Sequence, residues 1–183
     1  MKLNSKHVAL LIEDDYQEME AWYPYMRLIE SGAKVTVVGP GHKSTFHSKL
    51  GYEMEADASI ADVSAVDFDA VVVPGGFAPD HMRLCRPMID LVRDIHAQDK
   101  LVASICHGGW ILCSAGVVAG KKITGYLPIK DDVEAAGGIW VDDEVVQDGN
   151  VITSRTPPDL PAFARAIVNY LGAESEQTNR PES

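Results

Sequence analysis

The sequence predicts an α/β fold in which helices cover both faces of a mostly parallel β-sheet. Short apolar segments rich in branched residues indicate buried strands, and segments with apolar residues on one helical face separate them. The 183-residue chain is 46% apolar and 23% charged, which is typical of a globular protein and sufficient for one domain with a substantial core.

Strands and helices are expected to alternate along most of the chain. Predicted strands occupy residues 7–12, 34–38, 69–73, 101–105, 121–124 and parts of 145–154, where residues 148–150 form a hairpin turn. Predicted helices occupy residues 16–29, 79–84, 87–98, 110–118, 131–136 and 157–171. The polar segment 42–65 indicates short strands and turns. A polar tail, residues 173–183, is expected to follow a single domain of residues 1–172.

Composition and charge argue against several classes of function. The net charge of −11 disfavours binding to nucleic acid or to anionic membranes. The three cysteines form no C-x-x-C pattern, and no H-x-x-x-H or H-E-x-x-H pattern occurs, so neither disulfides nor a metal site is expected. Glycine-rich nucleotide-binding patterns, a signal peptide and a membrane-spanning run are also missing, so we expect a cytoplasmic protein without a cofactor.

The segment 106–109 (CHGG) carries the strongest chemical signal. It follows one of the predicted strands, and ligands of parallel α/β sheets bind at the carboxyl ends of strands. A cysteine between a strand and a helix lies beside free N–H groups and the positive end of the helix dipole, which favour a nucleophilic thiolate. The alternative for Cys106 is a buried structural cysteine, as we expect for Cys85 and Cys113.

Three further residues could complete a site. Glu20 lies four residues after Tyr16, on the apolar side of the first helix, where a carboxyl group needs a hydrogen bond or a proton. It could act as a general acid or base for Cys106, or it could extend to solvent from the edge of the core. His107 need not contact Cys106, because adjacent side chains on such a turn point apart. The N–H groups of Gly76 and His107 could bind an oxyanion, although the turn at Gly76 could also be purely structural.

Several ordered blocks of sequence accompany these residues. They are Glu18-Met19-Glu20 with Tyr23-Pro24, Val73-Pro74-Gly75-Gly76 with Ala78-Pro79-Asp80, Ala103-Ser104-Ile105-Cys106-His107-Gly108, Ile129-Lys130-Asp131-Asp132, and Thr153-Ser154-Arg155-Thr156-Pro157 with Asp159-Leu160. On these blocks the chain resembles the ThiJ/PfpI superfamily over about residues 7–172. The resemblance is to its PfpI-like branch of intracellular cysteine peptidases, protein deglycases and glyoxalase III enzymes.

The resemblance implies a flavodoxin-like three-layer sandwich with Cys106 at a nucleophile elbow. Glu20 matches the glutamate that hydrogen-bonds the elbow cysteine, and His107 matches the histidine of the peptidase-type triad. Asp80 stands where relatives have an acidic residue, often glutamate, that reaches this histidine across a subunit interface. The resemblance therefore implies a functional homo-oligomer, either a dimer or a hexamer.

The resemblance also implies where a substrate binds and what it is. Gly76 matches an oxyanion-hole donor, and Tyr126 matches an aromatic residue near the pocket entrance. The favoured function is a cysteine-dependent enzyme that acts on reactive carbonyls of the methylglyoxal class, free or as adducts on proteins and peptides. The alternatives are a cysteine peptidase or amidase with a cross-subunit triad of Cys106, His107 and Asp80, and a redox-sensing stress protein or chaperone.

Overall fold

A seven-stranded sheet forms the centre of the fold. The computed structural model describes residues 3–178. Its strands are β1 (His7–Leu11), β2 (Lys34–Gly39), β3 (Thr45–His47), β4 (Glu53–Glu55), β5 (Ala58–Ser59), β6 (Ala70–Val73), β7 (Leu101–Ile105), β8 (Lys122–Ile123), β9 (Ile139–Trp140), β10 (Val145–Asp148) and β11 (Val151–Ser154). The sheet order is β10-β11-β7-β6-β1-β2-β5, and only the β10–β11 pair in it is antiparallel.

Helices cover both faces of this sheet. They are α1 (Glu18–Glu30), α2 (Ala78–Met82), α3 (Arg86–Ala97), α4 (Gly109–Ser114), α5 (Lys130–Ala135) and α6 (Leu160–Thr178). The chain moves along the sheet in one direction from β1 to β2 and in the opposite direction from β6 to β7. Because such crossovers are right-handed, α1 and α3 lie on opposite faces. The predicted α/β sandwich with a mostly parallel sheet, flavodoxin-like in architecture, is confirmed.

The central strands are buried because helices pack on both sides of them. Every residue of β6 and β7 is buried, which explains their continuous apolar sequence. On one face α6 packs against α1 and against β11, while α3 packs against β6 and β7. The largest fully buried side chains include Tyr16, Phe46 and Phe163. The core therefore extends across the whole sheet.

The reversal of direction between β1 and β6 positions the functional site. Carboxyl ends of parallel strands meet at one edge of the sheet, and a crevice opens where the strand order reverses. The turns after β1, β6 and β7 all lie at this edge. The β3–β4 hairpin reaches the same edge through a bridge between Tyr16 and Ser48.

Two helices differ from the predicted boundaries by more than two residues. The last helix continues through Gly172 to Thr178, so the predicted end at residue 171 is too early. Gly172 is buried, and packing of this kind offsets the weak helix propensity of glycine. Residues 179–183 of the predicted tail lie outside the described residues. The helix predicted at 110–118 is shorter than expected, because α4 is followed by Gly116 with a left-handed φ of 74°.

We predict that Phe163→Ala destabilises the fold by about 3–5 kcal/mol, because it leaves a cavity under α6. Phe163 is fully buried. Urea unfolding followed by circular dichroism measures the change. Leu84→Ala is the matched control, since Leu84 is 91% exposed and its truncation should alter stability by less than about 0.5 kcal/mol. Equal effects of the two substitutions would contradict the packing described here.

Candidate functional site

Cys106 lies on a sharp turn directly after β7. Its φ is 60°, a left-handed conformation that side-chain-bearing residues rarely adopt and that costs on the order of 1–3 kcal/mol. One turn of 3-10 helix, Cys106–Gly108, follows, and α4 begins at the next residue. Gly108 makes this turn possible, because an added Cβ would lie 2.5 Å from the carbonyl oxygen of Val73. The cysteine is therefore held at a strained strand-to-helix turn, as the elbow interpretation expects.

Glu20 is a fully buried carboxyl group beside this turn. It lies in the first turn of α1, where Gln17 caps the helix by accepting a hydrogen bond from the Glu20 N–H at 2.9 Å. Its Oε2 accepts a hydrogen bond from the Gly75 N–H at 2.9 Å. Its Oε1 is buried and has no hydrogen-bond partner among the described residues. Burial raises the pKa of Glu20 to about 7, although the Gly75 N–H and the Cys106 side chain act in the opposite direction.

Gly75 brings the two reactive groups together. A Cβ added to it would lie 2.5 Å from Glu20 Oε2, 2.7 Å from the Cβ of Cys106 and 2.9 Å from the amide nitrogen of His107. Only a residue without a side chain fits at this position. The turn after β6 therefore joins α1 to the Cys106 turn, and the sequence prediction that Glu20 lies near Cys106 agrees with the geometry.

The protonation of Cys106 depends on Glu20. Burial, and next the negative charge of an ionised Glu20, raise the pKa of the Cys106 thiol to about 12, whereas the N–H groups of Gly76 and His107 lower it. The low pKa expected from the strand-to-helix position is therefore not found, because burial already disfavours the thiolate and an ionised Glu20 adds to this effect. Because Glu20 keeps its proton up to about pH 7, the repulsion disappears at lower pH, and a protonated carboxyl group can donate to a thiolate. The two groups thus titrate as a pair.

His107 contacts the cysteine, contrary to the sequence argument that adjacent side chains point apart. Its Nδ1 lies 3.5 Å from the Sγ of Cys106. The left-handed turn rotates the two side chains toward each other. Burial, and next the charge of Lys49, lower the pKa of His107, so the imidazole is neutral at pH 7 and can accept a proton.

Three aromatic rings surround His107. The ring centroids of Phe77, Trp110 and Tyr126 lie 6.1, 4.9 and 5.0 Å from that of His107. The sequence analysis identified Tyr126 but missed Phe77 and Trp110. Phe77 directly follows the Gly76 turn, and Trp110 lies three residues after His107 at helical spacing, so both positions carried a local signal.

Gly76 has a left-handed φ of 79°, and an added Cβ would collide with the backbone of residues 15–17. Its N–H and that of His107 both act on the Cys106 sulfur. Two backbone donors beside a nucleophile have the arrangement that an oxyanion site requires. The assignment of Gly76 to such a site stays a prediction.

Asp80 is not brought to His107 within one chain. It lies exposed in α2, and its carboxylate has no hydrogen bond or ion pair with any residue that the structure describes. The cross-subunit role of Asp80, and with it the homo-oligomer, therefore stays a prediction.

Cys85 and Cys113 are free thiols outside this turn. Burial raises the pKa of Cys113 to about 11. Within residues 3–178, no three His, Cys, Asp or Glu side chains are grouped so that they could hold a metal ion. None of the helices in that range combines the length and apolar character needed to cross a membrane.

The chain is similar to proteins of known families. Residues 6–170 match the model of the DJ-1/PfpI family. The chain is 43% identical to "Deglycase PH1704" of Pyrococcus horikoshii over 164 residues, which cover 90% of this chain and 98% of the relative. It is 39% identical to "Protein/nucleic acid deglycase 2" of Escherichia coli over 171 residues, which cover 92% and 99%. It is 37% identical to "Putative cysteine protease YraA" of Bacillus subtilis over 167 residues, which cover 91% and 99%.

Solved structures share the fold. A DJ-1/ThiJ/PfpI-like and ferritin-like two-domain protein from Anabaena variabilis superposes with a TM-score of 0.89 at 39% identity, and the match covers 91% of this chain and 50% of that protein. Drosophila melanogaster DJ-1beta superposes with a TM-score of 0.84 at 33% identity, covering 93% of this chain and 91% of the other.

We predict that Glu20 makes stability fall as the pH rises from about 4.5 to about 7. Its pKa is about 7 in the folded protein against 4.5 as the ordinary value. Between pH 4.5 and pH 7 the folded state therefore holds one proton more than the unfolded state. At low pH this proton contributes on the order of 3 kcal/mol to the free energy of unfolding, and the contribution is lost as the pH reaches 7.

Urea unfolding at pH 4.5 and pH 7.5 measures this component. Glu20→Gln, which is always neutral, should remove it. Glu55→Gln, at an exposed position of β4, should leave it in place. A wild-type pH dependence no steeper than that of Glu20→Gln would show that Glu20 is ionised normally.

Proposed function

Because this chain belongs to the DJ-1/PfpI family, which it matches over residues 6–170, we propose that Cys106 is the nucleophile of a deglycase. The relatives named deglycases, at about 40% identity over nearly their whole length, support an enzyme of the cysteine hydrolase or deglycase type. The proposed substrates are methylglyoxal-class dicarbonyls, free or as adducts on the amine or thiol groups of proteins and peptides. No cofactor takes part in the proposed reaction.

One observation carries the proposal. Cys106, held at φ 60°, is in contact with a neutral imidazole and lies beside a buried carboxyl group that keeps its proton to about pH 7. These groups are suited to act as nucleophile, proton donor and proton acceptor within one cluster. These are the groups that carbonyl addition followed by a proton shift requires.

The first step joins the sulfur to the aldehyde carbon. His107 accepts the proton of the Cys106 thiol as the sulfur attacks, and the carbonyl oxygen becomes an alkoxide beside the N–H groups of Gly76 and His107. The Glu20 carboxyl group protonates this alkoxide and regains a proton from the His107 imidazolium. The product is a hemithioacetal. Each oxyanion donor is worth about 3–4 kcal/mol in enzymes where it has been measured. With an adduct as substrate, the sulfur displaces the amine or thiol, which leaves with a proton.

The second step moves hydrogen between adjacent carbons. His107, neutral at pH 7, accepts the proton from the carbon bonded to sulfur and returns it to the neighbouring carbon. The hydroxyl proton of the hemithioacetal passes to the oxygen of the neighbouring carbonyl, which becomes a hydroxyl group. This converts the hemithioacetal to a thioester without any external oxidant. Water then hydrolyses the thioester and releases lactate from methylglyoxal, or glycolate from glyoxal, together with free Cys106.

We predict that Cys106→Ala abolishes lactate release from methylglyoxal adducts of N-acetyl-lysine, by at least about 100-fold, because the covalent intermediate can no longer form. An enzymatic lactate assay measures the rate. Cys113→Ala is the matched control, since Cys113 lies outside the turn, and it should retain the wild-type rate. Equal lactate release by wild type and Cys106→Ala would overturn the proposed function.

A second candidate is peptide hydrolysis. The 3.5 Å contact between Cys106 Sγ and His107 Nδ1 is compatible with the nucleophile–base pair of a cysteine peptidase, and one relative is named a putative cysteine protease. The third member of the triad would be Asp80 of the partner subunit, in a dimer or hexamer. Only this candidate requires a second copy of the chain.

Asp80→Ala should therefore reduce hydrolysis of a fluorogenic peptide by at least about tenfold while leaving lactate release intact, because the orienting carboxylate of the triad is lost. Asp62→Ala, another exposed carboxylate, should change neither rate. Peptide hydrolysis that survives Asp80→Ala, or that persists in a protein shown to be monomeric by sedimentation, would exclude the cross-subunit triad.

A further inference from the structure

Lys49 is held beside the site by the β3–β4 hairpin. Its N–H donates to the carbonyl oxygen of Tyr16 at 3.0 Å. On either side of it, the Ser48 hydroxyl group and the Leu50 N–H donate to the Glu18 Oε1 at 2.7 and 2.9 Å. The Glu18 carboxylate, which belongs to α1, thus fixes the loop. The backbone of Lys49 is anchored at the carboxyl edge of the sheet although its side chain is exposed.

The Lys49 ammonium group lies at the aromatic rim, the rings of Phe77, Trp110 and Tyr126 around His107. Its Nζ is 5.1 Å from the ring centroid of Phe77, a cation–π distance, and the Phe77 ring neighbours that of His107. Among residues 3–178, no carboxylate lies within ion-pair distance of this Nζ, and the nearby Glu18 carboxylate, whose pKa the Lys49 charge helps to lower, is occupied by the hydrogen bonds of Ser48 and Leu50. Its charge nevertheless lowers the pKa of both His107 and Glu20, so its field reaches the reacting groups.

This cation stands out in an acidic protein. The chain carries a net charge of −11, which repels anionic small molecules from most of its surface. The other cation over this aromatic cluster, Arg83, lies 5.6 Å from the ring centroid of Trp110 and donates to the Ser114 hydroxyl group. Within residues 3–178, Lys49 is therefore the cation beside Phe77 whose side chain has neither an ion pair nor a hydrogen bond.

We propose that Lys49 forms an anion subsite at the mouth of the site, for a carboxylate one carbon away from the atom that Cys106 attacks. The inference rests on the proposed function in taking Cys106 as the group that meets the substrate. A flexible ammonium group binds a carboxylate as a point charge. The favoured ligand class is then carbonyl compounds with an adjacent carboxylate, such as the 2-oxo acid glyoxylate. These compounds add to the sulfur as a hemithioacetal and go no further, because they lack the second carbonyl that the hydrogen shift requires.

Two alkylating reagents test this placement without turnover. Iodoacetate and iodoacetamide both react by attack of sulfur on a CH₂ carbon with loss of iodide, and they differ only in carrying a carboxylate or an amide on the next carbon. The ratio of their rates at Cys106, measured by peptide mass spectrometry, does not depend on the thiolate fraction because both reagents need the same thiolate. Cys85 and Cys113 provide internal reference ratios in the same sample.

Lys49→Met should lower the iodoacetate-to-iodoacetamide ratio at Cys106 by about three- to tenfold at low salt. Lys49→Arg should keep the ratio, since it keeps the charge. Lys34→Met, at the amino end of β2, removes the same charge from the opposite edge of the sheet and should change nothing. The ratios at Cys85 and Cys113 should stay constant in all variants. A ratio at Cys106 that is unchanged in Lys49→Met would overturn the proposal.

Protection by a non-reactive carboxylate provides a second readout. Glycolate should slow the alkylation of Cys106 by iodoacetamide in wild type and Lys49→Arg but not in Lys49→Met. The neutral glycolamide should protect every one of these proteins less than glycolate protects wild type. A Lys49-dependent ratio in a protein that releases no lactate would retain the anion subsite and reject the deglycase function. Lactate release by a protein whose iodoacetate-to-iodoacetamide ratio does not depend on Lys49 would retain the deglycase function and reject the anion subsite. Failure of both reagents to alkylate Cys106 would contradict both proposals.

Discussion

The hydrogen bond from the Gly75 N–H to the buried Glu20 carboxyl group is the contact on which the site depends. It ties α1 to the turn after β6, and Gly75 has no side chain, so the same turn also packs against Cys106. Any larger residue at this position would separate the carboxyl group from the sulfur. A single glycine therefore decides whether the three segments that carry the chemistry can meet.

Two features of this arrangement oppose folding. Glu20 is taken out of water with one oxygen unpaired, and Cys106 is held in a left-handed conformation. A folded protein tolerates these free-energy costs only where many surrounding contacts hold the residues in place. Here the fully buried strands β6 and β7 supply that constraint. The same features make the cluster reactive, because the unpaired carboxyl oxygen favours a proton and the strained turn presents the sulfur to His107.

The surroundings of this cluster divide into an apolar part and a charged part. Aromatic rings enclose the imidazole and reduce its contact with water, which favours its neutral form. Lys49 contributes a positive field from a hairpin distant in sequence, against the negative charge of the protein as a whole. The site thus combines low polarity at the imidazole with one local cation, a combination suited to reactions in which negative charge develops.

The local sequence pattern was sufficient to predict the order of strands and helices. It also placed Cys106 on a strand-to-helix turn and Glu20 on the buried side of α1. These follow from hydrophobic period and from turn residues, which act over a few positions. The sequence argument failed where φ or burial is set by distant contacts: His107 was expected to point away from Cys106, and the last helix to end at residue 171. Phe77 and Trp110 were not among the predicted site residues, although their sequence positions next to the Gly76 turn and one helical turn after His107 carry local signals.

Only the tertiary structure decided which residues meet. Glu20 and Gly75 are 55 positions apart, and Lys49 reaches the aromatic rim from a separate hairpin. Neither contact has a local signature, because the order of parallel strands, rather than the spacing of residues, determines which turns share an edge. The sequence by itself therefore determined the kind of fold, the nucleophile position and Glu20 as a candidate partner, while the Gly75 contact that holds Glu20 and the charge of Lys49 beside the nucleophile came from the sheet order that brings distant turns together.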